Sequence, residues 1–152
     1  MIYTSYYARI RKFPAHMVPV SISRGVPKGY DGLCYAALAP HWETVSGYKK
    51  NASANPAYWE KWYDEQYKQT VLDKLEPDKV AAELQEMVGE GKTPVLVCYE
   101  KSEDFCHRKL VAQWFGRTNH MVREATEEDF GQEEAPVNSD PLMKGKDFFV
   151  RD

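Results

Sequence analysis

The sequence predicts an α/β domain with a mainly parallel, Rossmann-like sheet flanked by helices, a three-layer sandwich. Three observations carry that expectation. An apolar, β-branched run, Pro94-Val95-Leu96-Val97-Cys98, reads as a buried strand and leads through a polar turn into an amphipathic helix beginning near Cys106-His107-Arg108. Two further β-rich segments, residues 2–6 and 17–23, precede it. Helical stretches then separate these strands, the arrangement that favours parallel pairing.

The elements follow in order. Residues 2–6 and 17–23 are the first two strands; Pro19 lacks an N–H, so the second lies near an edge or begins its regular pairing after that residue. A glycine-rich loop, residues 24–32, leaves it. Residues 33–38 form a third extended segment, weakened by Ala36 and Ala37. Pro40 opens a short helix through Tyr48. Asn55-Pro56 is a capped helix start, and Trp59, Tyr63, Tyr67, Val71 and Leu75 recur every four residues as one apolar stripe. Glu76-Pro77 starts another helix, with Val80, Leu84, Met87 and Val88 inward and Gly89 or Gly91 ending it. Residues 93–99 are the central strand. Asp104 is the expected cap of the next helix, which buries Leu110, Val111, Trp114 and Phe115 and stops at Gly116. A last strand falls within residues 120–123. The division expected is a single α/β domain over 1–124 and a loosely packed acidic extension over 125–152.

At 152 residues and 43% hydrophobic content the chain can bury one real core. A net charge of -3 disfavours a broadly basic nucleic-acid binder, while Arg9, Arg11, Lys12, Arg24 and Lys28 leave room for a local basic pocket. Three cysteines without framework spacing suggest a reducing compartment. The first residues lack the pattern of a signal peptide, and no apolar run approaches the ~20 residues needed to cross a bilayer. The expectation is a cytoplasmic protein.

Function is expected where strands end and helices begin, because ligands of open α/β sheets bind there. A helix N-terminus presents free N–H groups and partial positive charge, so His107 and Arg108 at that place make a seat for an anion. Arg24, just past the second strand, converges on the same crevice, and arginine's planar fork suits phosphate or carboxylate. The competing role for Arg108 is a structural salt bridge, for instance with Glu100. Glu100 itself is a candidate general base or ligand holder, or an arginine partner. Cys106, in the opening turn of a helix, is a candidate nucleophile, or else a small buried hydrophobe. His107 is the next residue and need not touch it. Ser5 and Tyr6 are candidate hydroxyl donors, and Tyr30, Trp42 and Tyr48 candidate stacking residues.

Several chemistries lack support. Cys98 and Cys106 are followed six positions later by Asp104 and Ala112, not by the arginine of a phosphatase loop. There is no Gly-x-Gly-x-x-Gly and no phosphate-loop lysine motif. Cys98, Cys106 and His107 lack the short cysteine gap of knuckle-type zinc sites, and a fourth ligand from Cys34, His41 or His120 is not specified. The expectation is therefore no metal and no cofactor, with core filling as the role of Cys98.

The segment from Val95 to Phe115, carrying Cys98, Glu100 and Cys106-His107-Arg108, resembles the signature of domain-of-unknown-function family 488. Ile2-Tyr3-Thr4-Ser5-Tyr6-Tyr7 and Pro19-Val20-Ser21-Ile22-Ser23-Arg24 are similar to that family's first two strands, so the resemblance covers residues 1 to about 116. It implies a compact α/β domain of bacteria, archaea and phages, without an established reaction. Many relatives carry an acid two residues before the second-strand arginine, where this chain has Ile22.

Three functions compete. One is a small enzyme processing a nucleotide or nucleic-acid-derived ligand, with Glu100, His107 and Cys106 as chemical groups and Ser5, Tyr6, Arg24, Arg108 and Tyr30 as ligand contacts. The second is a non-catalytic module that sequesters such a ligand, which would suit a phage-encoded member. The third is a protein-interaction domain using the acidic tail.

Overall fold

In a computed structural model, which describes residues 1–100 and 105–131, five strands form one sheet in the order β3-β2-β4-β1-β5. They are β1 (Ile2–Tyr6), β2 (Met17–Ser21), β3 (Leu33–Cys34), β4 (Thr93–Cys98) and β5 (Val122–Glu124), and every pairing is parallel. The run around Val95 to Cys98 is central, as its unbroken hydrophobicity implies for a strand covered on both faces. Pro19 is tolerated inside β2 because β3 begins pairing only at Val20, so the missing N–H falls outside that ladder.

The helices are α1 (Trp42–Asn51), α2 (Pro56–Thr70), α3 (Pro77–Val88), α4 (His107–Phe115) and α5 (Glu127–Phe130). Asn55 caps α2, its side-chain oxygen accepting from the Tyr58 N–H at 3.3 Å, with Pro56 in the first turn. Gly89 ends α3 at φ 96°, a left-handed value that an L side chain resists. No helix among the described residues is long and apolar enough to cross a membrane.

Two cores make the layers. On one face Tyr63, Tyr67, Val71, Leu84, Val111 and Phe115 pack on Val20 and Leu96. On the other, Ile10, Phe13 and Met17 pack on Val95 and Val97, with Phe130 against them. Register decides which side chain meets which layer: Ser5 pairs with Val97 and Tyr6 with Cys98, so Ser5 and Cys98 face opposite ways.

Some expectations shift. The segment 33–38 is a two-residue strand followed by a 3-10 turn, Ala36–Leu38, since its alanines favour helical geometry. A further 3-10 turn, Tyr7–Lys12, had no sequence signal. Cys106 holds the N-cap position of α4, and Asp104 lies outside the described residues. The chain past residue 124 begins as packed structure. Ala125 is buried, Asp129 closes a capping box with Thr126, and Phe130 sits 5.4 Å from the Phe13 ring. The remainder of the expected acidic extension lies outside the described residues.

Candidate functional site

Parallel strands deliver their carboxyl ends to one edge, and there the chain leaves a cavity of about 410 Å³. Its floor is Cys98, Cys106 and His107; its walls include Tyr48, Tyr63 and Phe105, and Arg24, Trp42, Lys49, Tyr99 and Glu100 complete it. The aromatic walls follow from the four-residue stripe of α2 and from α1 packing across it: Tyr63 stands 5.6 Å from Tyr48 and 5.1 Å from Phe105.

Cys98, the last residue of β4, and Cys106, at the head of α4, are joined by a disulfide across a Cα separation of 7.6 Å. This corrects the core-filling role for Cys98: central-strand parity sends its side chain to the face where α4 begins. Arg108, in the first turn of α4, lies behind the pair. Its Nη1 donates to Cys98 Sγ at 2.9 Å and to the Glu100 carbonyl at 2.7 Å. Nε and Nη2 grip the two carboxylate oxygens of Glu124, each at 3.0 Å. The guanidinium is fully buried, over the Tyr6 ring at 5.6 Å.

His107 is buried with Nε2 at 2.7 Å from the Ile22 carbonyl. A carbonyl only accepts, so Nε2 carries the proton, and the lone pair of Nδ1 faces Cys106 Sγ at 3.8 Å. Burial pulls its pKa down to about 4, against a smaller upward pull from the Ile22 hydrogen bond, so the ring is neutral at pH 7. The sulfurs and Nδ1 all lie within 4.8 Å of one another.

The cavity thus collects Arg24, Glu100, Cys106 and His107 of the predicted set, together with Trp42 and Tyr48. Arg24 is exposed at the rim, its Nε bonded to the Pro40 carbonyl at 3.0 Å. Four expected ligand contacts fall elsewhere. Arg108 is engaged by Glu124 and Cys98, so the seat for an anion expected there is a buried clamp. Ser5 is buried on the opposite sheet face, its hydroxyl without a partner among the described residues. Tyr6 packs under two arginines, Arg108 and Arg9. Tyr30 donates to the Leu33 carbonyl at 2.5 Å and packs edge-on against Tyr7. Arg9 and Lys12, part of the N-terminal basic cluster, pair instead with Glu127. Of the other ligands considered for a metal, Cys34 and His41 are exposed and His120 bonds Asp78. Glu124 and Lys49 were missed. The signal for Glu124 was a lone acid ending a weak strand, which gains meaning only beside a buried arginine.

Residues 9–119 match the family model DUF488-N3a, described as the active DUF488-N3 subclade. No curated protein matches the chain, and no solved structure does.

Proposed function

The chain belongs to the DUF488 family, and from that premise we propose that it is a dithiol enzyme processing a small aromatic anion of nucleotide type. The observation that carries this reading is the Cys98–Cys106 pair at the floor of the cavity, with Arg108 on one sulfur and His107 facing the other. A guanidinium beside a sulfur stabilises its thiolate, the form that reacts. A neutral imidazole with its lone pair toward a thiol can accept that thiol's proton.

In the proposed cycle, Cys98 thiolate attacks a soft electrophilic atom of the ligand, such as a sulfur, and the leaving group departs with the bonding electron pair. Cys106, its proton taken by His107 Nδ1, then attacks Cys98 Sγ. The Cys98–ligand bond breaks and its electron pair leaves with the rest of the ligand, which is thereby reduced by two electrons and takes the proton from His107 Nδ1 as the disulfide closes. Two equivalents of a small-molecule thiol return the pair to the dithiol and leave joined as their own disulfide. The cavity's size falls in the range of small-molecule sites. Trp42, Tyr48 and Phe105 offer ring surfaces to a base, and Arg24 and Lys49 offer positive charge to a phosphate.

The second reading is a sequestering module whose disulfide only ties β4 to α4; it draws on the near-complete burial of both sulfurs, 1% and 3% exposed. One experiment separates the two. Reduced Cys34→Ser/Cys106→Ser protein lacks both the exposed free thiol and the resolving thiol, so incubation with a filtered small-molecule extract should leave a covalent adduct on Cys98, visible by intact-protein mass spectrometry and placed by peptide mapping. Cys34→Ser/Cys98→Ser protein should carry none. Retention of an unmodified nucleotide with no adduct in Cys34→Ser/Cys106→Ser would instead establish the sequestering module.

A further inference from the structure

The two cysteines and His107 have a second use once the disulfide is open, one that goes beyond the proposed turnover and depends on no substrate. We infer that the reduced pair and His107 bind one zinc-type divalent cation, with its fourth position open to the cavity.

Three features support this. The first is distance. Zinc–sulfur bonds of about 2.3 Å and zinc–nitrogen bonds of 2.0–2.1 Å set a tetrahedral S···N edge of roughly 3.6 Å. Cys106 Sγ and His107 Nδ1 already stand 3.8 Å apart. The Cα separation of 7.6 Å between the cysteines exceeds the usual disulfide span of about 4.4–6.8 Å. Their backbones therefore leave the sulfurs room to part around an ion.

The second is orientation. The Ile22 carbonyl takes the Nε2 proton of His107 and fixes the tautomer whose free Nδ1 points at the sulfurs. A backbone carbonyl on the far nitrogen is the usual outer support of a metal-binding histidine. The third is charge. Two thiolates neutralise a divalent ion, and Arg108 beside Cys98 is already balanced by the Glu124 carboxylate. The loaded cluster is therefore neutral overall, which its burial requires.

Loading balances simply. A thiol reductant supplies two electrons and two protons to open the disulfide, and the cation then displaces the two thiol protons to solvent. Cation and disulfide exclude each other, so zinc occupancy follows the redox state of the pair and withholds it from thiol chemistry. The expectation from spacing along the chain was no metal; the cluster departs from it because strand end and helix start meet in space.

The test uses full-length Cys34→Ser protein, which removes the exposed free thiol. Reduced with a phosphine and titrated with zinc(II) against a chromophoric chelator, it should bind one equivalent; the disulfide form should bind none. Cobalt(II) should give thiolate-to-cobalt absorption, lost in Cys98→Ser and in Cys106→Ser. Should either variant fail to fold, alkylation mapping of the Cys34→Ser protein serves instead, with zinc shielding Cys98 and Cys106. Reduced protein that takes up no zinc and gains no shielding would overturn the inference. So would a folded Cys98→Ser/Cys106→Ser protein that still binds one equivalent. Zinc uptake without any adduct on Cys98 in the earlier assay would sink the dithiol cycle and leave the metal site standing.

Discussion

Arg24 and Arg108 look alike in sequence, each placed just past a strand end, and the fold gives them opposite work. Arg108 has no exposure and spends its donors on Glu124, Cys98 and Glu100. Removing it strands a partly buried carboxylate, a loss of about 3 kcal/mol or more. Arg24 is exposed and, among the described residues, held only through Nε. Arg108→Ala should therefore lower the urea midpoint sharply, whereas Arg24→Ala should leave it unchanged and weaken nucleotide binding by on the order of tenfold, the loss of one charge-assisted hydrogen bond. Equal stability of the two variants by urea denaturation would refute this division. The sequence held both possibilities for Arg108, anion seat and salt bridge. It could not choose, because Glu124 reaches it only through the pairing of β5 with β1.

At the scale of elements, the long periodic patterns were legible: the capped start of α2, the buried central strand and the inward face of α4 all follow from apolar spacing and terminal residues. Short elements were not. The turn Tyr7–Lys12 and helix α5 are shaped by tertiary contacts, such as Arg9 reaching the Ala125 carbonyl at 3.1 Å. Helix α5 also makes a pH-dependent contribution. Arg123 grips Asp129 at 2.7 and 2.8 Å, and Thr126 adds hydrogen bonds, which together hold its carboxyl well below the usual carboxylate range. A depressed folded pKa stabilises above the unfolded value of about 3.9 and is lost as pH falls below it. Asp129→Asn should thus cost about 1 kcal/mol at pH 7, and the gap to the unaltered protein should close as the pH drops below about 4. Thermal melts from pH 7 to 3 check it; a gap that widens on acidification contradicts it.

Across the whole molecule, the cavity lies at the strand-end edge to which the sequence points, and the fold brings half of the expected residues to it. Location depended on strands being parallel, which helical spacers imply. The lining depended on strand parity. Ser5 and Tyr6 differ by one position, and the pairing of Ser5 with Val97 turns it to the opposite layer. The same parity brings Cys98 to Cys106, a pairing that eight residues of chain separation did not advertise. The proposed cycle requires this pair to be a reversible redox group. Its most direct test is to equilibrate the folded protein in glutathione buffers of graded ratio, quench with an alkylating reagent and map the peptides. Cys98 and Cys106 should pass together from disulfide to alkylated thiol in one transition, with Cys34 alkylated in the reduced buffers independently of them and the circular dichroism unchanged throughout. Cys98 and Cys106 that stay locked in every buffer, or that open only as the fold is lost, would contradict the account.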